Sequence, residues 1–151
     1  MRDDRHALDP DATFAFFNEV GIVAQLSSAL FAKVLPDGVH PSHFAILNHL
    51  TRLGDGKTPV AIADAMQVTK ATMTHSLQVL LARDFIRIEP SQADARSKNV
   101  WLTQAGRDFR DTAIKTVVER FRSLVTPELA ADMASALPHL RRIRQILDES
   151  R

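Results

Sequence analysis

The stretch of sequence that decides the fold is Asp94-Ala95-Arg96-Ser97-Lys98-Asn99-Val100-Trp101-Leu102-Thr103, which follows a helix-turn-helix pattern beginning near Thr58. Apolar residues alternate with other residues on both sides of its charged turn, in 86–89 and 99–102. This period of two predicts two strands joined by a polar loop. A helix pair followed directly by such a hairpin is typical of a winged helix-turn-helix.

The composition is that of an ordinary globular protein. The chain has 151 residues, of which 45% are hydrophobic and 25% charged, so we expect one domain without wholesale disorder. The formal charge of +1 means that any attraction to phosphate must be local. The absence of cysteine excludes disulfides, thiolate metal sites and thiol redox sensing. The start, Met1–His6, lacks a signal-peptide core, and we expect no apolar run near the ~20 residues that span a bilayer. We therefore expect a cytoplasmic protein.

Capping residues and prolines divide the chain into helices. The expected starts are Asp9-Pro10, Pro41-Ser42 with Ser42 as the cap, Thr58-Pro59, Thr69, Thr103 and Thr126-Pro127. Pro138 should kink or split the last helix. The sequence thus predicts a mainly α fold with a small two-stranded β wing, in the order helix, helix, helix, helix, strand, strand, helix, helix.

The helix from Thr69 to about Asp84 has one apolar and one polar face. Met73, Leu77, Leu80 and Leu81 recur at the spacing of one helix face and should pack inward. The outer side carries candidate groups for reading base edges in a major groove: Thr72, Thr74, His75 and Gln78. Thr69 and Lys70 lie at the helix N-terminus, where a phosphate is favoured. The alternative is a plain helical hairpin whose polar face meets only water.

The loop between the predicted strands is rich in Ser, Asp, Arg and Lys, so it can follow a sugar-phosphate backbone with Ser97 and Lys98. Arg96 can enter a narrow minor groove, where the negative potential is highest. Asp94 can pair with that guanidinium and fix its pose. The alternative is a solvated turn with an incidental ion pair. Its place directly after a candidate recognition helix favours the DNA interpretation.

Two motifs carry a family resemblance. Asp94-x-Arg96 followed by Leu102-Thr103-x-x-Gly106 resembles the signature of the MarR family of bacterial transcriptional regulators. Ile62-Ala63…Met66-x-Val68-x-x-x-Thr72-Met73-Thr74 is similar to that family's helix-turn-helix. The resemblance extends over about residues 12–148. It implies a homodimeric regulator of transcription that reads a pseudo-palindromic operator, with the helix residues above in the major groove and Arg96, oriented by Asp94, in the minor groove.

The chain departs from the family pattern at two positions. The family often has Arg where this chain has His75, which predicts a different base preference or a pH-sensitive contact. It commonly has Gly where this chain has Asp84, which bears on the turn before Phe85, although Asp tolerates left-handed backbone better than most residues.

Surplus apolar residues on the first and last helices favour a dimer. The first helix carries them between Phe14 and Val34, and the last between Leu129 and Leu147. The alternative is a monomer core that uses both stripes. We expect a single domain over 1–151, with dimerisation helices at about 10–35 and 104–148 and the winged helix-turn-helix at about 42–103. A twofold dimer places two recognition helices about one DNA turn apart.

The resemblance also implies a ligand-responsive repressor, because family members commonly bind a small aromatic or anionic effector and then release DNA. The candidate effector residues are Phe16, Phe17, His40, His43 and Arg52, and the alternative is that they are core or capping residues.

Other functions are weaker. A metal-responsive regulator is suggested only by the spacing of His40 and His43, without a tetrahedral ligand set, so we expect no metal and no cofactor. No nucleophile-base motif, phosphate-binding Gly loop or paired carboxylates indicate an enzyme. A winged helix used only for protein interaction would show an apolar outer face, whereas Thr74, His75 and Gln78 are polar.

Overall fold

The computed structural model describes residues 9–94 and 96–151, so the expectation about the Met1–His6 start lies outside the described residues. The elements are α1 (Pro10–Ala32), α2 (Pro41–Leu53), α3 (Pro59–Met66), α4 (Lys70–Ala82), β1 (Ile86–Pro90), β2 (Lys98–Leu102), α5 (Gln104–Phe121) and α6 (Pro127–Glu149). This order confirms the predicted mainly helical fold with a two-stranded wing.

Most of the predicted caps are confirmed. The side chains of Asp9, Thr58, Thr69 and Thr126 each accept a hydrogen bond from a backbone N–H in the first turn of the helix that follows. The cap of α2 is different, because His40 rather than Ser42 precedes the first helical residue, Pro41. A proline takes the first helical position, where its missing N–H costs nothing, so Ser42 already lies inside the helix.

The core of the helix-turn-helix comes from one face of each element. Eleven buried residues form it: Ile46, Leu47, Leu50, Ile62, Ala63, Met73, Leu77, Leu80, Ile86, Val100 and Leu102. The rings of Phe85 and Phe109 stack beside this cluster, with their centroids 4.3 Å apart. The core therefore joins α2, α3, α4 and the base of the wing, and it fixes the direction in which α4 presents its outer face.

The wing is an antiparallel hairpin in which Ile86 pairs with Leu102 and Pro90 with Lys98. A third segment extends it, because Gly56 donates to the Val100 carbonyl at 2.8 Å and Val100 donates to the Lys57 carbonyl at 2.9 Å. The hairpin is thus tied to the turn between α2 and α3.

Contacts divide the chain into two units, one up to Ala113 and the other Ile114–Arg151, with α5 running through the boundary. In the second unit α6 is one continuous helix that contains Pro138, so of the predicted kink or split, the split is wrong. Nearly all of α6 is exposed, including large apolar side chains at Leu129, Met133, Leu137, Leu140 and Leu147.

The helix α1 is long and apolar enough, by length and composition, to cross a membrane, and none of its qualifying stretch is buried. The expectation that no segment approaches this character is therefore wrong. The reason is that Asp11 and Glu19 are the only charged residues among its 23. One such helix is weak evidence for a membrane span, because a helix that is covered by protein passes the same test.

Candidate nucleic-acid interface

The turn between α3 and α4 is held by main-chain geometry. Gln67 has a left-handed backbone (φ 54°), and the next amide, Val68 N–H, donates to the Ala63 carbonyl at 3.1 Å. Ala63 is 1% exposed, so its small side chain lies in the core beside Ile62. This arrangement ends α3 and starts α4 two residues later, as the helix-turn-helix pattern requires.

The outer face of α4 is polar, as predicted. Thr72, Thr74, His75 and Gln78 are all exposed, and Lys70 is exposed at the start of the helix. Two positions differ from the prediction. Leu81, expected to pack inward, is 42% exposed, and Ser76, a polar residue outside the predicted apolar stripe, is buried. The buried stripe runs through Met73, Ser76, Leu77 and Leu80, so it is rotated around the helix relative to the predicted stripe, and Leu81 lies on the side of the wing.

The hydroxyl groups in the first two turns of α4 form fixed local bonds. Thr69 Oγ1 accepts from the Thr72 N–H at 3.1 Å and lies 2.9 Å from Thr72 Oγ1. Thr74 Oγ1 donates to the Lys70 carbonyl at 2.9 Å. These bonds hold the side chains in set rotamers before any ligand arrives, which reduces the entropy lost on binding.

The loop of the wing is closed by its own backbone. Ser91 N–H donates to the Ser97 carbonyl at 2.9 Å, and Ser97 N–H donates to the Asp94 carbonyl at 2.9 Å. The Asp94 carboxylate accepts from the Arg96 backbone N–H at 2.9 Å. The predicted role of Asp94 needs correction, because no ion pair joins it to the Arg96 guanidinium within the described residues. Asp94 shapes the turn through the main chain, and Arg96 remains exposed.

An open cleft of about 550 Å³ separates α4 from the wing. Its walls are formed by Pro59, Thr74, Leu77, Gln78, Leu81, Ile88, Pro90 and Lys98. The structure thus brings Thr74 and Gln78 of the helix and Lys98 of the wing to one concave surface. Leu81 is exposed because it forms part of this wall.

The Asp55 carboxylate links the wing to α5, a contact that the sequence did not predict. Asp55 Oδ2 accepts from the Leu102 backbone N–H at 3.0 Å and from Arg107 Nη2 at 3.0 Å. The partners lie 47 and 52 residues away along the chain, so no local pattern indicates the contact. The sequence places Asp55 in the turn before α3, but it does not indicate which residues this carboxylate contacts.

The indole of Trp101 lies on the outer side of β2. A Cβ atom added to Gly56 would come within 2.7 Å of the ring, so the side chain of Trp101 takes the space that Gly56 leaves open. The Arg87 guanidinium lies 5.5 Å from the ring centroid, a cation–π distance. The ring therefore contacts both the turn before α3 and the neighbouring strand at the base of the wing.

The candidate effector residues do not form one group within the chain. Phe16 and Phe17 are exposed in the first half of α1 and contact each other edge to face. Phe31 of α1 contacts Phe44 of α2. Phe31 lies about 20 Å farther along α1 than Phe17, at 1.5 Å per residue. Arg52 is exposed in the last turn of α2.

His40 and His43 instead act together at the start of α2. His43 is 3% exposed, and its Nδ1 accepts a hydrogen bond from the His40 N–H at 3.0 Å. Burial, followed by the charges of His40, His75 and Arg83, lowers the pKa of His43 below its ordinary value. Arg83 also donates to the Asp37 carbonyl in the loop before α2. The capping alternative for these histidines therefore matches the geometry.

The lowered pKa of His43 predicts a pH-dependent stability. The unfolded chain takes up the proton near pH 6.5 and the folded chain only at lower pH, so the free energy of unfolding is full above 6.5 and falls as the pH drops toward the folded pKa. Burial, followed by the charges of Arg52 and Lys57, also lowers the pKa of His49, so this residue too makes the free energy of unfolding fall as the pH drops. We expect His43→Gln, whose amide oxygen can still accept the His40 N–H, to flatten part of this fall in urea unfolding between about pH 8 and pH 5. A variant that keeps the full fall would contradict the role of His43.

No group of three or more His, Cys, Asp or Glu side chains is placed to hold a metal ion within 9–94 and 96–151. The His40 and His43 rings are close, with centroids 5.4 Å apart, but His43 Nδ1 already accepts a hydrogen bond from the His40 N–H. The described part of the chain therefore offers no observation in favour of a metal-responsive regulator.

The comparisons with known proteins place the chain in a family. Residues 37–97 match the model of the MarR family. The transcriptional regulator HosA of Escherichia coli O157:H7 is 31% identical over 98 residues, which is 65% of this chain and 71% of HosA. Among solved structures, the apo form of wild-type MarR from E. coli has a TM-score of 0.69 at 20% identity, over 82% of this chain and 94% of that one. A mutant MarR from E. coli complexed with operator DNA has a TM-score of 0.63 at 17% identity, over 89% and 99%.

The sequence relative covers enough of both chains to identify the family, and the solved structures share the fold. This family consists of transcriptional regulators rather than enzymes. The protein with the hairpin, caps and α4 face described above is a member of the MarR family of transcriptional regulators.

Proposed function

We propose that this protein is a sequence-specific regulator that binds duplex DNA as a homodimer, with α4 in the major groove and the wing at the neighbouring minor groove. The observation that carries the proposal is the exposed polar face of α4 beside a projecting loop with an exposed Arg96. A mutant MarR from E. coli that shares this fold has been solved in complex with operator DNA, which supports DNA as the partner. The proposed contacts are Thr69, Lys70, Thr72, Thr74, His75 and Gln78 in the helix, and Ser97, Lys98 and Arg96, positioned by Asp94, in the wing.

The dimer is supported by the exposed apolar side chains of α1 and α6. Water-exposed apolar stripes of this extent are uncommon in a soluble monomer, and they mark surfaces that another chain covers. We propose that 10–35 and 104–148 form the dimerisation region and that 42–103 form the DNA-binding region. The two recognition helices would then read the halves of a pseudo-palindromic operator.

Repression, effector binding and a cytoplasmic location complete the proposal, and they follow from membership of the family. A small aromatic or anionic effector would bind the protein and cause it to release the operator. Adding small aromatic carboxylates to the DNA complex tests this, and an operator affinity insensitive to all of them would argue against a ligand-responsive repressor.

The central experiment selects bound sequences from a random duplex pool and measures their affinity by fluorescence anisotropy at increasing salt. Specific binding should enrich a pseudo-palindrome, and its affinity should fall with a log–log slope of about −0.9 for each phosphate neutralised. Failure to enrich any sequence would overturn the proposal. An apolar protein partner with no DNA affinity would instead favour an interaction module.

Removing the charge at the wing tip tests the orientation of the molecule on DNA. We expect Arg96→Ala to weaken binding to the selected operator by roughly tenfold, because a guanidinium in the minor groove contributes about 1–3 kcal/mol. The loss should extend to unrelated duplexes, since a minor-groove charge is only weakly sequence-dependent. Arg151→Ala removes the same charge outside both the proposed dimerisation region and the proposed DNA-binding region, and it serves as the control. Equal affinity of Arg96→Ala and wild type would place the wing away from DNA.

A further inference from the structure

Thr74 has a hydroxyl group whose proton is already committed. Its Oγ1 donates to the Lys70 carbonyl, four residues earlier, at 2.9 Å. A hydroxyl has one proton and two lone pairs, so this bond leaves only acceptor capacity for an external partner. Thr74 is exposed and lies on the wall of the cleft between α4 and the wing, where a bound molecule would meet those lone pairs.

The other hydroxyl groups and the amide of the same face have no such fixed polarity. Thr69 and Thr72 share a hydroxyl–hydroxyl bond of 2.9 Å in which either oxygen can donate. Gln78, one turn after Thr74 and on the same cleft wall, offers both a donor and an acceptor. Ser76 is buried and faces the core. Thr74 is thus the outer-face hydroxyl that the folded chain leaves as a hydrogen-bond acceptor.

The major groove of DNA displays both signs in a base-dependent pattern. The exocyclic amino groups of adenine and cytosine are donors, whereas guanine N7 and O6, adenine N7 and thymine O4 are acceptors. An oxygen limited to accepting can bond the amino groups and meets the acceptors with repulsion. Breaking the bond to Lys70 would free the proton, but it would leave the helix carbonyl with one partner fewer.

We propose that Thr74 is a specificity-determining residue that accepts a hydrogen bond from the exocyclic amino group of an adenine or cytosine in the major groove. This inference rests on the proposed DNA-binding function and names the base chemistry that this one position reads. Thr74 excludes a base edge that offers only carbonyl or ring-nitrogen acceptors at that point.

The experiment begins with three proteins that should fold alike, because Thr74 is exposed: wild type, Thr74→Ser and Thr74→Val. Serine keeps a hydroxyl that can donate to the same carbonyl, and valine keeps the shape but removes the oxygen. Sequence selection with each protein identifies the base pair whose preference depends on position 74. Thermal unfolding monitored by circular dichroism checks that the folds are equal.

The decisive step uses operator duplexes that lack single groups at that base pair. Purine in place of adenine, or 2-pyrimidinone in place of cytosine, removes only the amino group. Wild type and Thr74→Ser should lose roughly three- to tenfold in affinity on these duplexes, the range expected for one hydrogen bond. Thr74→Val should already bind the natural operator more weakly by a similar factor and lose nothing further.

The outcomes separate the two levels of the proposal. If no protein enriches a sequence, the DNA-binding function fails and this inference falls with it. If an operator is found but Thr74→Val shows unchanged preference, or if wild type loses affinity when the carbonyl rather than the amino group is removed, only the assignment of Thr74 is overturned. A loss confined to amino-deleted duplexes and to proteins with a hydroxyl at position 74 supports it.

Discussion

Replacing Gly106 by alanine is expected to lower the free energy of unfolding by about 3 kcal/mol, at the upper end of what overpacking costs. A Cβ at this position would lie 2.0 Å from the Phe85 carbonyl oxygen and 2.9 Å from its carbon. Both are main-chain atoms, and the same carbonyl accepts from the Thr103 N–H at 3.2 Å. Because main-chain atoms cannot rotate away as a side chain can, the clash is relieved only if α5 moves away from the turn that begins the wing. Urea unfolding, followed by circular dichroism, measures the loss.

Gly21→Ala provides a matched control within the same chain. Gly21 lies inside α1, and a Cβ added there meets no atom within 4 Å. Alanine should therefore stabilise α1 by up to about 1 kcal/mol through helix propensity. If Gly106→Ala unfolded at the same urea concentration as wild type, the close approach of α5 to Phe85 would be wrong.

Introducing a charge on the apolar stripe of α6 is expected to dissociate the proposed dimer. Leu129, Met133, Leu137 and Leu140 recur on one helix face, and each is more than two-fifths exposed. Leu137→Glu would bury an unpaired carboxylate at the centre of this stripe, at a cost of several kcal/mol. We expect a monomer by sedimentation equilibrium and a loss of operator affinity of about 100-fold or more, since a monomer reads only one half-site.

The control carries the same new charge on the opposite side of the helix. Ala131 is exposed and lies more than 100° around α6 from Leu137 at 100° per residue. Ala131→Glu should remain dimeric and bind the operator as wild type does. A dimeric Leu137→Glu protein, or equal dissociation of both variants, would show that this stripe is not the contact between protomers.

The order of elements and most of their limits were predictable because the signals are local. Proline after Asp9, Thr58 and Thr126 marks helix starts through the missing N–H and the capping oxygen, which depend on neighbours two or three residues away. The same reasoning failed at Ser42, because His40 takes the cap position and the His43 side chain accepts from its backbone N–H instead. Histidine is an uncommon cap, so the usual preference for serine pointed to the wrong residue.

The faces of α4 were predictable to within one residue at each edge. Periodicity places Met73, Leu77 and Leu80 inward, but it cannot tell whether the next apolar residue meets the core or a neighbouring loop. Leu81 lies on the cleft because the wing leaves that side of α4 open.

The parts of the interface that sequence reasoning missed are those made by long-range or main-chain contacts. The bonds of Asp55 to Leu102 and Arg107 join segments about fifty residues apart, and only the folded chain brings them together. The Asp94–Arg96 pattern suggested an ion pair because opposite charges were two residues apart. In the turn, the carboxylate accepts from the nearer backbone amide, and Arg96 stays exposed, without an ion pair to Asp94 among residues 9–94 and 96–151.

The packing of Trp101 against Gly56 has a spectroscopic consequence. The chain contains a single tryptophan, so its ultraviolet emission arises from one indole at the root of the hairpin. A shift in the emission maximum, or a change in quenching by iodide, would report local rearrangement of this hairpin without any dye or label. The protein thus carries its own optical probe beside the surface at which we propose that it meets its target.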